Sequence, residues 1–229
     1  MGCRTIVIAH GKSEVIIARN LASRMRFNLE VYSNDRGERA IKLEHIERIL
    51  RDPPFDSERS LRDAYSTMDF EPRKDPYMPE LAIFPIIDRE ADDVRSGSYL
   101  SGDMFKDSPF HGRIHPILNM DTLEMVMEDC GYGPISDKVQ FYQRTFSTID
   151  VRDFYGRLRE CRITNMDEFV YHCMLHSPPY QGLIETGRIE GPTGISKADF
   201  RRWNRLLESR KISEKRLRLT LFQPNSSKS

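Results

Sequence analysis

The sequence predicts an α/β protein with a mostly parallel four-stranded sheet flanked by helices, followed by a helical C-terminal half. Through about residue 130, strand-like apolar runs alternate with amphipathic helical patterns, as in βαβ units. Beyond that point only helical periodicity is sustained, and strand signals are weak. We therefore predict an α/β domain over residues 1–130 and a helical region over residues 131–229.

The first strand and helix are predicted at the N-terminus. The β-branched run Thr5–Ala9 is typical of a buried strand and ends at a turn, His10-Gly11. Apolar residues then recur at helical spacing from Val15 to Met25, and Ser13 is the predicted N-cap of that helix. Alternating apolar and polar residues over 27–32 predict the second strand.

A loop at 34–37 leads to the predicted central strand through two further helices. The first, over 41–50, is stopped by Pro53-Pro54, and the second covers 57–68. After a Pro-rich connector, Leu81–Ile87 is the most apolar run of the chain and predicts a buried strand. Pro85 weakens this prediction because it removes one donor from the ladder.

The fourth strand and the later helices complete the prediction. An irregular segment over 96–110 precedes a strand over 113–118 and a helix over 121–129, which Gly131 closes. Further helices are predicted over 136–146, 151–160, 166–176 and 197–210, with loops at 178–179 and 187–194. The sequence leaves open whether this helical half is a separate domain or packs onto the sheet.

Composition narrows the class of protein. The chain has 35 Lys and Arg and 35 Asp and Glu, a zero net charge that argues against a histone-like protein or an acidic tail. No apolar run reaches the roughly 18 residues of a membrane span, and the N-terminal run is too short for a signal peptide. The cysteines lie far apart and form no CxxC pair, which is typical of reduced intracellular thiols: Cys3, Cys130, Cys161 and Cys173. We expect a cytoplasmic protein without a membrane partner.

An acidic cluster follows the predicted central strand. Asp88 and Glu90 come directly after it, with Asp92 and Asp93 close behind. Ligands of open α/β sheets gather at the carboxyl ends of strands, and carboxylates are the oxygen ligands that Mg²⁺ or Mn²⁺ prefers. The alternative interpretation is a solvated acidic loop.

The turn between the first strand and the first helix is the second candidate. Gly11 permits a tight turn, and Lys12 and the helix N-terminus could receive a phosphate. The upstream glycine of a Walker A loop is absent. Alternatively, Glu14 complements the helix dipole and His10 is a structural residue at the strand end.

Together the two segments resemble the TOPRIM (topoisomerase–primase) fold. The first motif of that family, a strand followed by a Glu-Gly-Lys-Ser/Thr-Asp/Glu-type turn, is similar to residues 8–15, and its Asp-x-Asp strand end is similar to residues 86–90. The segment from Asn119 to Glu124 is similar to one in TOPRIM nucleases of phage defence. The resemblance covers about residues 1–130, and His10 stands where the family has an acidic residue.

The resemblance implies an Mg²⁺- or Mn²⁺-dependent nuclease that cleaves DNA or RNA in phage defence or nucleic-acid repair. It implies Glu14, Asp88 and Glu90 as metal ligands, Lys12 as the group that neutralises developing charge, and His10 as a base. Such proteins often act beside an ATPase, which here would be a separate chain.

Because His10 cannot supply negative charge, two alternatives stay open. The chain could be a catalytically inactive TOPRIM-like module that binds nucleic acid or a protein, or an α/β protein that binds nucleotide through the 10–14 turn. The sequence also leaves open whether the protein is a homo-oligomer.

The third feature is a basic segment over residues 197–218. It has nine basic and three acidic residues, so its net charge is +6 and the rest of the chain carries −6. Arg201, Arg202 and Arg205 lie on neighbouring positions of the predicted helix, beside Phe200 and Trp203. This pattern favours contact with a nucleic-acid backbone. The alternative is an amphipathic helix with a solvated basic face.

Overall fold

A four-stranded, all-parallel sheet forms the centre of the structure, a computed structural model that describes residues 3–69, 81–89, 95–196, 198, 199, 201, 202, 204 and 205. The strands, in the spatial order β2-β1-β3-β4, are β1 Thr5–Ala9, β2 Glu30–Tyr32, β3 Ala82–Asp88 and β4 Ile117–Asn119. With helices around this sheet and a helical C-terminal half, the predicted α/β class is confirmed.

Most helices of the described chain lie where the sequence predicts them, with shifted ends, but a helix also forms at Ser96–Leu100, inside the segment predicted to be irregular. The helices are α1 Lys12–Met25, α2 Leu43–Ile49, α3 Glu58–Ala64, α4 Ser96–Leu100, α5 Leu123–Asp129, α6 Lys138–Thr148, α7 Val151–Cys161, α8 Met166–Leu175 and α9 Pro178–Glu185. Short 3₁₀ turns lie at Asn34–Gly37, Asp103–Phe105 and His111–Arg113.

Both faces of the sheet are buried by packing. Thr5 and Phe84 lie on one face, where Phe84 packs on Phe169 of α8 with ring centroids 5.3 Å apart. Residues alternate between faces along a strand, so Ile8 points the other way. Its β2 neighbour Tyr32 contacts Phe55, with ring centroids 5.2 Å apart. A sheet covered on both sides explains why β1 and β3 are near-continuous apolar runs.

Pro85 lies inside β3, although this strand has a neighbour on each side. The backbone groups of Ile83 and Arg89 point toward β4: Ile83 O accepts a hydrogen bond there and Arg89 N–H donates one. Backbone groups alternate in direction along a strand, so the nitrogen of Pro85 points toward β4 as well. The β4 strand begins only at Ile117, level with the residue after Pro85. The N–H that Pro85 lacks would therefore lie just before the β3–β4 pairing begins, where β4 needs no donor. The Pro85 carbonyl has its own partner, since the Tyr99 hydroxyl donates to Pro85 O at 2.6 Å.

The helices of the helical half that belong to the first compact unit pack onto the sheet domain. Helix α6 lies against α1, and α8 contacts both α1 and β4. The chain divides into two compact units, Met1–Gly194 and Ile195–Ser229. Within the described residues, no helix is both long and apolar enough to cross a bilayer.

Three local predictions were wrong in detail. Helix α1 begins at Lys12 after Gly11, so Ser13 is inside the helix and is not its cap. The fourth strand starts four residues later than predicted, because a 3₁₀ turn occupies His111–Arg113. The Pro178-Pro179 loop is the start of α9, since proline is compatible with the first turn of a helix. The connector at 71–79 lies outside the described residues.

Candidate functional site

Three polar residues meet where the parallel strands end. His10 follows β1, while Asp88 ends β3 and lies level with Asn119 at the end of β4. Because all strands run in the same direction, their carboxyl ends share one edge of the sheet. The structure thus brings the two sequence-predicted segments, the 10–14 turn and the acidic strand end, to one place.

Asp88 is held by a chain of buried polar groups. Asn119 Nδ2 donates to Asp88 Oδ1 at 2.8 Å, and Thr164 Oγ1 donates to Asn119 Oδ1 at 2.8 Å. Asn119 is completely buried and Thr164 is 1% exposed. Since the amide oxygen is occupied by the threonine hydroxyl, the amide NH₂ group must face the carboxylate. Asp88 therefore keeps one orientation.

Glu14 lies in the first turn of α1 and is 3% exposed. Its Oε2 accepts a hydrogen bond from Gly11 N–H at 2.8 Å. Burial, followed by the nearby negative charges of Asp88 and Glu124, raises the pKa of Glu14 to about 8. A carboxyl group with this pKa is mostly protonated at neutral pH unless a cation neutralises it.

Burial also raises the pKa of Asp88, against the opposing effects of the His10 charge and the Asn119 hydrogen bond. Because Asp88 in turn raises the pKa of Glu14, the two carboxyl groups are close enough to repel each other when ionised. Two such groups at one sheet edge form a site that a cation or a shared proton would stabilise.

His10 faces Asp88 but is fixed by the chain that follows the 34–37 turn. Its Nδ1 lies 2.9 Å from Ile41 O, and because a carbonyl only accepts, Nδ1 carries the proton. Its Nε2 then lies 3.9 Å from Asp88 Oδ2. A neutral His10 can take a proton at Nε2, and a protonated His10 forms an ion pair with Asp88.

Lys12 does not face the carboxylates. Its Nζ lies 2.5 Å from Glu38 Oε1, and both side chains are exposed. Glu38 directly follows the 34–37 turn. Its carboxylate therefore occupies the Lys12 ammonium group, which the sequence predicts to bind phosphate. A substrate phosphate at Lys12 would compete with Glu38.

Sequence reasoning missed Tyr142 of α6, whose side chain is completely buried and whose hydroxyl has no hydrogen-bond partner in the structure. Burial, followed by the charges of Glu124, Glu14 and Asp88, raises the pKa of this hydroxyl strongly. The unpartnered hydroxyl is therefore within electrostatic range of Glu124, Glu14 and Asp88. Glu124 is also contacted by Lys138, one helical turn before Tyr142, with Nζ 3.1 Å from Oε2.

The sequence resemblance already included Asn119 and Glu124 but gave them no role at the site. Asn119 directly follows the predicted strand, so the rule that ligands gather at strand ends could have assigned it one. Tyr142 and Thr164 carry no such signal, because they come from segments far along the chain: Tyr142 from α6, and Thr164 from a bridge residue between α7 and α8.

Several predicted residues are not placed by the structure. Glu90, Asp92 and Asp93 lie outside the described residues, so the full predicted metal set cannot be assembled. Among the residues that are described, no group of three or more His, Cys, Asp or Glu side chains is arranged to hold a metal ion. Arg201, Arg202 and Arg205 are exposed residues of the second compact unit.

Comparison of the chain with models of protein families, with curated proteins and with solved structures gave no match. The TOPRIM resemblance stays a prediction from the sequence.

Proposed function

We propose that the protein is a TOPRIM-like phosphodiesterase that cleaves nucleic acid with the help of Mg²⁺ or Mn²⁺. The observation that carries this proposal is a pair of carboxyl groups at the carboxyl edge of a parallel sheet, the buried Glu14 and the partly buried Asp88. Burial disfavours the ionised form of both groups, and the charge of Asp88 makes Glu14 harder still to ionise. A divalent cation is therefore the natural partner for both.

The donor chemistry fits such a cation. The candidate ligands are hard oxygen atoms, and within electrostatic range of them the buried Tyr142 hydroxyl has no hydrogen-bond partner among the described residues. Glu90 would complete the set, since it follows Asp88 by two residues. When bound, the metal would polarise the scissile phosphate and lower the pKa of the attacking water.

The protein groups have separate tasks in this proposal. Asn119 keeps Asp88 in one orientation, and the Gly11 N–H does the same for Glu14. His10 Nε2 is available to take a proton from the attacking water. Lys12 would leave Glu38 and bind the phosphate, which compensates developing negative charge.

The test is cleavage of plasmid, single-stranded DNA and RNA with Mg²⁺ or Mn²⁺ by the full chain and by Asp88→Asn. The variant keeps the shape of the side chain but loses its charge, so we expect cleavage to fall about 10³-fold. Asp63→Asn, an exposed residue of α3, is the matched control and should cleave like the unaltered protein. Equal cleavage by Asp88→Asn and the control would overturn the ligand assignment.

A second candidate function is a non-catalytic nucleic-acid binding module. The observation that favours it is the 3.9 Å contact between His10 Nε2 and Asp88 Oδ2, in which a protonated histidine would neutralise Asp88 without a metal. This candidate predicts no cleavage of any of the three substrates and no effect of Mg²⁺ on the melting temperature. It also predicts salt-sensitive binding that is lost when Arg201, Arg202 and Arg205 become alanine.

A further inference from the structure

Two cysteines that are distant in sequence meet at the ends of two helices. Cys130 directly follows α5, and Cys161 is the last residue of α7. Cys130 Sγ lies 3.9 Å from Arg157 O, and Cys161 Sγ lies 4.0 Å from Val126 O. Each acceptor carbonyl belongs to the residue four positions before the other cysteine. Each sulfur therefore lies over the last turn of the other helix, which places the two thiols side by side.

The two thiols differ in exposure and in acidity. Cys130 is buried, whereas Cys161 is partly exposed. The neighbouring Cys130 thiol lowers the pKa of Cys161, whereas the proximity of Cys161, together with burial, raises the pKa of Cys130. A lowered pKa and access from solvent are the two properties that make a thiol reactive.

The other cysteines lack this combination. Cys3 is buried, and burial raises the pKa of its thiol to about 11. Cys173 is completely buried, and burial raises its pKa well above the usual value. Thiols of this kind are inert toward oxidants. They serve as internal controls.

We propose that Cys130 and Cys161 are a reversible dithiol–disulfide pair, in which a peroxide oxidises Cys161 first and Cys130 then resolves the intermediate. This site is separate from the candidate site at the sheet edge, and its test needs no nuclease activity.

The chemistry balances with hydrogen peroxide as the oxidant. The Cys161 thiolate attacks one peroxide oxygen, an S–O bond forms as the O–O bond breaks, and the hydroxide that leaves becomes water. The Cys130 sulfur then attacks the Cys161 sulfur, an S–S bond forms, and the hydroxide that leaves takes up the Cys130 proton. Together the two thiols lose two protons and two electrons, and the peroxide becomes two water molecules.

The experiment treats the full-length protein with a small excess of hydrogen peroxide, alkylates the remaining thiols in denaturant and identifies peptides by mass spectrometry. We expect a cross-linked Cys130–Cys161 peptide that dithiothreitol abolishes, while Cys3 and Cys173 are recovered alkylated. In Cys130→Ser, we expect Cys161 to stop at the sulfenic acid, which dimedone traps. In Cys161→Ser, we expect no dimedone adduct at Cys130.

Cys173→Ser is the matched control and should form the cross-link as the unaltered protein does. If a serine variant fails to fold, the cross-link in the unaltered protein decides by itself. Recovery of both Cys130 and Cys161 in alkylated form after peroxide treatment overturns the proposal. A disulfide that joins two chains, or that includes Cys3 or Cys173, overturns it as well.

Discussion

At the scale of single residues, His172 shows how burial sets the charge of a side chain. It lies on α8, where its Nε2 is 3.0 Å from Thr5 Oγ1 and its ring packs on Phe84 with centroids 4.9 Å apart. Burial, followed by the neighbouring His176 and His115, lowers the pKa of His172 to about 3. The folded protein therefore holds this imidazole in its neutral form throughout the physiological range.

This pKa predicts a loss of stability in acid. Unfolded His172 binds a proton below its ordinary pKa of about 6.5, while folded His172 binds one only near pH 3, so stability falls as pH decreases between these values. The slope is about 1.4 kcal/mol per pH unit for one proton. The glutamine of His172→Gln cannot bind that proton. Between about pH 3 and 6.5, the slope of its free energy of unfolding against pH should therefore be smaller by about 1.4 kcal/mol per pH unit.

Urea unfolding at a series of pH values measures both slopes. His111→Gln, at an exposed position, is the matched control and should keep the slope of the unaltered protein. If plots of the free energy of unfolding against pH were parallel for His172→Gln and the unaltered protein between pH 4 and 6, the lowered pKa of His172 would be contradicted. This holds whatever the absolute stability of the variant.

At the scale of elements, the 34–37 turn is fitted closely against the first turn of α1. Gly37 has a φ of +91°, and a Cβ there would lie 2.8 Å from Lys12 Cα and 2.9 Å from Lys12 N. These are backbone atoms, which cannot rotate away as the end of a side chain can. The same segment supplies Ile41, whose backbone N–H donates to His10 O at 2.8 Å. The turn thus fixes the backbone of the candidate site.

Gly37→Ala should therefore lower the free energy of unfolding by about 2–5 kcal/mol, because backbone strain and a steric clash add. Gly102→Ala separates the two causes, since Gly102 has a φ of +78° but nothing within 4 Å of the added Cβ. We expect that control to lose only about 1–2 kcal/mol. Chemical denaturation measures both, and equal losses in the two variants would show that the close approach at Lys12 costs nothing.

At the scale of the whole molecule, the zero net charge conceals a separation of charge along the chain. Residues 197–218 carry +6, and the remaining chain carries −6. Arg201, Arg202 and Arg205 are the exposed arginines of this basic segment that the structure describes. The remaining chain includes Glu14 and Asp88 at the sheet edge. A polyanion and a cation would thus bind to different parts of the chain.

This distribution predicts the salt dependence of nucleic-acid binding. Each lost phosphate contact reduces the slope of log affinity against log salt concentration by about 0.9 for a duplex. Replacing Arg201, Arg202 and Arg205 by alanine should therefore make the slope shallower by about 2–3. Replacement of the same residues by lysine preserves the charge and should leave the slope unchanged. Fluorescence anisotropy at several salt concentrations measures it, and an unchanged slope in the alanine variant would rule out these contacts.

The sequence by itself determined the α/β class and the order of the strands and most helices, because burial on both faces requires apolar runs in β1 and β3 that local pattern reveals. It did not predict α4 or the start of α9. It also placed His10 and Asp88 at strand ends, and parallel strands bring their ends to one edge. The ends of elements were less predictable, since capping at Gly11 and the 3₁₀ turn before β4 depend on contacts with other segments.

Only the tertiary structure decided which distant groups meet. Thr164 reaches Asn119, Tyr142 comes within electrostatic range of Glu14 and Asp88, and Cys130 lies beside Cys161. None of these relations leaves a mark in local sequence pattern. The sequence suggested four separate thiols, whereas the packing of α5 beside α7 makes two of them neighbours. The physical reason is that periodicity records which face of an element is buried, while the partner on that face is set by how the elements pack.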